Sequence, residues 1–281
     1  MEGLSAFPTD SDVRLIDTHA HLYEEYYDGD IDEILDELRE DMFRMLVVGV
    51  DLETSKEALE LARQEDFIYA AAGIHPNRAR KLSADELYEF EDLLCQENIV
   101  AVGEIGLDYY HEEVDRETQQ YMLNQFTELA HDLHLPITFH VRPKEDNAEQ
   151  PVFDDLFPIM EAHGGPELLG IFHCFGGNTR RLTECLDYQF FISFAGNLTY
   201  PRALELQAVA KEVPMDRILV ETDCPYLTPE PQRGKQNQPN YVWPVYQKIA
   251  ELKDWSTNVV VDKIWENTEK LFGWSPDKLA S

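Results

Sequence analysis

From Leu15 onward, short apolar runs alternate with amphipathic segments, and no long linker or low-complexity tract interrupts them. That rhythm is the signature of βα units around a parallel sheet, whose strands are covered on both faces and read as nearly continuous apolar runs. Eight strands are predicted: Arg14 to His19, Phe43 to Val50, Phe67 to Ile74, Ile99 to Ile105, Pro136 to His140, Leu168 to Phe172, Phe190 to Phe194 and Ile218 to Thr222. Between them the apolar period lengthens to that of a helix. Ile31, Ile34, Leu35 and Leu38 fall at i, i+3, i+4 and i+7; Met122, Phe126, Leu129, Ala130 and Leu133 repeat the stripe, as do Ala203, Leu206, Ala210 and Val213, so each helix has one face to bury. Two terminal helices are predicted, Val242 to Leu252 and Val261 to Phe272. Eight strand–helix units fit an α/β fold of one (β/α)8 TIM-type barrel with an additional C-terminal helix, which typically takes about 250 residues. The expectation is a single barrel over 1–281 with its core over 14–272; an open, doubly wound sheet is the alternative, since counting strands does not show closure.

Composition adds one strong feature. Among 281 residues, 55 are acidic and 23 basic, a net charge of −32, while hydrophobic content stays at 43%, enough for a full core. Such a surface repels itself over the Debye length of roughly 8 Å in physiological salt, a repulsion cut to about 3 Å near molar salt. The inference is a halophilic source with a very salty cytoplasm. The opening Met1-Glu2-Gly3-Leu4-Ser5-Ala6-Phe7-Pro8 has no basic region followed by an apolar one, so it does not read as a secretory signal. Uncharged apolar stretches such as Ile68 to Ile74 fall well short of the roughly 20 residues that cross a bilayer. Cys95, Cys174, Cys185 and Cys224 show no CxxC spacing, which fits reduced thiols in a cytoplasmic protein.

Candidate chemistry sits at the ends of the predicted strands. Val100 to Asp108 is an apolar run carrying a single carboxylate in its middle, Glu104, where an unpaired charge would cost several kcal/mol. Glu104 therefore needs a partner, either a core arginine or a cation. The first strand supplies a clue: alternate residues of a strand point the same way, so His19 and His21 can present imidazoles to one ion. His140 closes the fifth predicted strand, His173 follows the sixth and Asp223 the eighth, the rim from which barrel enzymes assemble their sites. Six nitrogen and oxygen ligands with a carboxylate among them suit two metal ions bridged by Glu104, and hydrolysis is the implied reaction class. Asp223 would ligate one ion and accept the proton of the attacking water.

The segments DTHAHL (17–22), GIHP (73–76), GEIGLDYY (103–110), LPITFHVR (135–142), FHCFGG (172–177), ISFAGNLTY (192–200), ETDCPYLTP (221–229) and RGKQNQP (233–239) follow in that order. In order and spacing the chain resembles the TatD family of metal-dependent hydrolases over nearly its whole length. The resemblance implies an amidohydrolase-type barrel, two divalent metal ions and phosphodiester hydrolysis of DNA, often as a 3′-5′ exonuclease. Matched motif by motif, His19, His21, Glu104 and Asp223 look like ligands of one metal, and Glu104, His140 and His173 like ligands of the second. Mixed imidazole and carboxylate donors accept Mg, Mn or Zn alike.

Neighbouring residues suggest how a substrate would be held. His75, in GIHP, could reach the scissile phosphate, and Arg142 could grip a phosphate with its guanidinium fork. Arg233 and Lys235, with Asn237, form a basic cluster after the eighth strand, where barrel enzymes often bind phosphate. Tyr109, Tyr110 and Tyr226 could stack on bases or merely pack the rim. His131 and His134 read as structural groups at a helix C-terminus, and Cys174 and Cys224 as small packing residues. Two departures from the family pattern stand out: Tyr23 where an aspartate is common, and a long polar connection over 143–150. At −32 the protein should bind DNA weakly, by short or single-stranded ends, in a pocket rather than along a groove. No membrane and no obligate protein partner are expected. The alternative reading keeps the metals and changes the substrate to a small amide, ester or lactone.

Overall fold

The computed structural model describes residues 13, 15–27, 31–111, 113–144 and 149–274. Its strands are β1 (Leu15–Ala20), β2 (Met42–Val48), β3 (Ile68–Ala72), β4 (Ile99–Asp108), β5 (Ile137–Arg142), β6 (Leu169–Phe172), β7 (Gln189–Phe194) and β8 (Ile218–Val220). They form one sheet in the order β1 through β8, a nearly closed (β/α)8 barrel. The helices are α1 (Glu24–Tyr27), α2 (Ile31–Asp41), α3 (Leu52–Gln64), α4 (Ala84–Leu94), α5 (Arg116–Leu133), α6 (Val152–Ala162), α7 (Thr179–Leu186), α8 (Leu204–Glu212), α9 (Trp243–Lys253) and α10 (Thr257–Phe272). The expected C-terminal helix is α10. The opening eight residues, Arg14 and residues 145–148 of the long polar connection lie outside the described residues. No helix among the described residues is long and apolar enough to cross a membrane, and none of the four cysteines forms a disulfide.

The chain divides into two compact units, the first drawn from Met1–Val47, Glu65–Ile68 and Ile192–Ser281, the second from Val48–Gln64 and Tyr69–Phe191. In the first unit, β1 pairs in parallel with β2 and β7 with β8, and an isolated bridge joins Ala20 to Cys224. Buried polar groups on the outer helices pin these strands. The Tyr246 hydroxyl of α9 accepts from the Ile16 amide at 3.2 Å and donates to the Ile16 carbonyl at 3.1 Å, while Asn267 of α10 donates to the Ile218 carbonyl at 2.7 Å. Strand β8 stops two residues before the predicted Thr222 because the Thr222 amide leaves the ladder and donates to the Asp17 side chain at 2.9 Å.

In the second unit β3, β4, β5 and β6 pair in parallel. Its core stacks Phe139 on Phe190 at 5.3 Å between ring centroids and sets Phe90 edge-on to Phe126 at 5.0 Å. Strand β4 runs three residues past the predicted Ile105, with Leu107 opposite Val141 and Asp108 opposite Arg142. Glycines make that length possible. A Cβ at Gly106, whose φ is +152°, would lie 1.9 Å from the His140 carbonyl oxygen, so only glycine lets β4 approach β5 beside the site. Helix α5 starts on Asp115, whose carboxylate accepts the Thr118 amide at 2.9 Å, and ends on His134 in the left-handed conformation, the structural role expected of that histidine.

Candidate metal centre

In the first unit, backbone pairing decides which side chains meet. The Asp223 amide donates to the His19 carbonyl at 2.9 Å and the His21 amide to the Cys224 carbonyl at 2.9 Å, which lays the residue after Thr222 alongside the histidine pair. The ring nitrogens Nε2 of His19 and His21 then stand 3.3 Å apart, and Asp223 Oδ1 lies 3.6 Å from the second and 4.0 Å from the first. Asp17, two residues before His19 on the same strand, holds this corner together: its carboxyl accepts from the amides of His19 at 3.1 Å and Thr222 at 2.9 Å and bonds the Thr222 hydroxyl. Asp17 is wholly buried, and burial pushes its carboxyl up to about 8, against the lowering effect of those bonds.

In the second unit, Glu104 is buried, with only 2% of its surface exposed. Its Oε1 lies 2.7 Å from His140 Nδ1, 2.7 Å from His173 Nε2 and 3.7 Å from His75 Nε2. Burial drives a carboxyl towards neutrality, but the charges of His173 and His75 and the hydrogen bonds from His140 and His173 outweigh it and hold Glu104 well below the usual carboxylate range. The sequence offered a core arginine or a cation as partner; the groups that face Glu104 Oε1 are the imidazoles of His140, His173 and His75, side chains of the metal-ligating kind. His140 Nδ1 and His173 Nε2 are 3.3 Å apart, and donor atoms of His75, Glu104 and His140 lie within 4.8 Å of one another. Imidazole nitrogens and a carboxylate oxygen gathered this closely fit a divalent transition metal.

His75 differs from its neighbours in one respect. Its Nδ1 accepts the Asn77 amide at 3.1 Å, so a neutral ring carries its proton on Nε2, the nitrogen that faces Glu104 and lies 3.2 Å from His140 Nδ1. A protonated nitrogen donates and does not ligate. That arrangement supports a contact role for His75 rather than a ligand role.

With both donor sets described, the comparisons with known proteins fall into place. The sequence matches the family described as TatD related DNase over residues 16–273. The chain belongs to the TatD-related DNase family. It is similar to the metal-dependent hydrolase YabD of Bacillus subtilis, 39% identical over 92% of this chain and 98% of that one. It is also similar to the 3'-5' ssDNA/RNA exonuclease TatD of Pantoea ananatis, 27% identical over 92% and 99%. Among solved structures, the TatD homologue YJJV of Escherichia coli K12 superposes with a TM-score of 0.82 at 27% identity, covering 94% of this chain and 99% of that one. As a TatD-family protein, this chain is one of a family of metal-dependent hydrolases, and its histidine and glutamate groups are able to hold metal.

The remaining expected residues sort by unit. In the first, the Arg233 guanidinium lies 4.3 Å over the Tyr200 ring and 3.9 Å from Glu230, Lys235 is exposed, and Tyr226 is half exposed, 6.4 Å from the His21 ring. Asn237 does not join that basic cluster. It is buried, and its side-chain amide donates to the Thr222 and Tyr226 carbonyls. In the second unit, Arg142 extends β5 and its guanidinium covers Tyr110 at 4.2 Å. Tyr109 is unsuited to stacking on a base, because it is buried, its hydroxyl bonds Asp155 at 2.6 Å and Arg116 covers its ring. Sequence reasoning passed over Asp17, Asn77 and Asp108. The alternation that paired His19 with His21 extends back to Asp17, and on β4 it carries Glu104 forward to Asp108, so the signal for both carboxylates was present.

Proposed function

We propose that this TatD-family chain is a binuclear deoxyribonuclease that hydrolyses phosphodiesters from short or single-stranded DNA ends, in the manner of a 3'-5' exonuclease. The observation that carries the reading is Glu104, a buried carboxylate ringed by His75, His140 and His173, in a chain similar over its length to a named exonuclease. His19, His21 and Asp223, with Glu104, are assigned to one divalent cation, and Glu104, His140 and His173 to a second, as Mg, Mn or Zn. Bound there, the pair would supply positive charge that acidifies a water and offsets charge on the departing oxygen.

The chain's own groups do the rest. Asp223, partly exposed, accepts the proton of the attacking water as its oxygen bonds to phosphorus and the phosphorus–oxygen bond to the departing sugar breaks. His75 donates its Nε2 proton to a phosphate oxygen, the role its Asn77-bonded tautomer allows. Arg142 grips a neighbouring phosphate, while Arg233 and Lys235 add the positive charge that an acidic surface otherwise lacks. The reading places the protein in the salty cytoplasm of a halophile. The test is purified protein with end-labelled single-stranded DNA and Mg²⁺ or Mn²⁺. Metal-dependent shortening that Asp223→Asn abolishes supports the reading; metal binding without cleavage, but with turnover of a small amide, ester or lactone, overturns the nuclease assignment.

A further inference from the structure

Within that metal-centre reading, a second buried carboxylate beside Glu104 has no assigned task. We infer that Asp108 is a positioning residue that selects Nδ1 of His140 as the metal-binding nitrogen. An imidazole ligates only through a nitrogen that carries no proton, so whatever holds the proton on one nitrogen chooses the other as ligand. Pairing of β4 with β5 sets Gly106 opposite His140 and Asp108 opposite Arg142, and the His140 ring spans the gap between the two carboxylates. Its Nδ1 faces Glu104 Oε1 at 2.7 Å and His173 Nε2 at 3.3 Å, while its Nε2 donates to Asp108 Oδ2 at 3.2 Å.

Asp108 can do this because it is fixed on every side. It is buried with 1% of its surface exposed, and its backbone is clamped by Gln119, which accepts its amide at 2.8 Å and donates to its carbonyl at 3.0 Å. Oδ1 accepts the amides of Tyr110 and His111, both at 2.9 Å. Oδ2 also accepts from Asn77 at 3.1 Å and faces His111 Nδ1 at 2.8 Å. With donors on both oxygens, Asp108 is an acceptor only, so when a cation takes the place of the proton that Nδ1 shares with Glu104, His140 keeps its proton at Nε2. Asn77 joins the two neighbouring rings: its backbone amide keeps His75 a donor, and its side chain steadies the carboxylate that makes His140 a ligand.

Asp108→Asn tests this at constant shape. The amide oxygen keeps the two backbone donors, which turns the NH₂ group towards His140 Nε2 and drives the imidazole proton to Nδ1, the nitrogen the metal needs. The expected result is a loss of about 10- to 100-fold in Zn²⁺ affinity at this site by calorimetry. Melting of the metal-free variant reports separately whether it folds. The wild type alone gives a second readout, since nitrogen-15 NMR of the Zn²⁺-loaded protein should show His140 protonated at Nε2 and coordinated through Nδ1. Coordination through Nε2, or undiminished affinity in a folded Asp108→Asn, overturns this inference alone; absence of any Zn²⁺ binding overturns the metal-centre reading with it.

Discussion

The unit that carries β1 brings two imidazole nitrogens to 3.3 Å of each other and leaves Asp223 3.6 Å from the nearer, beyond hydrogen-bond reach. The unit that carries β4 instead buries one carboxylate among three imidazoles, two of them at 2.7 Å. In the second, opposite charges compensate one another directly. In the first, the two imidazoles meet nitrogen to nitrogen, with the Asp223 carboxylate oxygen farther from each than the rings are from one another. The carboxylates behind them differ in the same sense. Asp17 is held by a hydroxyl and backbone amides and burial dominates, raising its carboxyl to about 8. Asp108 is buried too, but the bonds and charges of His140 and His111 overcome burial and keep its carboxyl well below the usual range. Facing imidazoles make a buried carboxylate an anion, whereas hydroxyls and amides alone do not outweigh burial here.

The largest expected effects fall on the two carboxylates proposed to be catalytic and break the comparison cleanly. Asp223→Asn and Glu104→Gln should each lower DNA hydrolysis by about 10³-fold or more, read as initial rates on end-labelled substrate. Only the second should also cost stability, about 3 kcal/mol in metal-free unfolding, because it removes the charge that the three imidazoles face. Next come two glycines with positive φ. Gly106→Ala drives a Cβ to 1.9 Å from the His140 carbonyl oxygen, whereas nothing lies within 4 Å of a Cβ at Gly234 in the basic loop. Urea unfolding should show a loss of about 3 kcal/mol for the first and about 1 kcal/mol for the second. The smallest effect is shared by both units: molar KCl should raise the melting temperature by about 5 °C or more over low salt, since the −32 charge repels itself until screened. No gain with salt would remove the halophile inference.

The barrel was legible because its signal is local and repeated: apolar runs and helical stripes placed every strand within a few residues of where it lies. The HxH pair was legible for the same reason, since alternation along one strand puts two rings on one face. Boundaries were missed where side chains rather than periodicity set them. Strand β8 ends early because the Thr222 amide bonds Asp17, and β4 runs on to Asp108 because Gly103 and Gly106 admit β5. Glu104 showed that it needed a partner but not which one, because its three imidazoles arrive from positions 29, 36 and 69 residues away. Tyr109 and Asn237 looked like surface groups beside the site, and their burial follows from contacts with Asp155 and with the Thr222 carbonyl that no local pattern records.

The most direct test is the number of Mn²⁺ or Zn²⁺ ions bound per chain, by elemental analysis and calorimetry, in the wild type, His21→Gln and His173→Gln. The two donor sets should give two ions in the wild type and one in each variant, with different ions lost. A wild type that binds none, or variants that both retain the full complement, would contradict the assignment of these side chains as a metal centre.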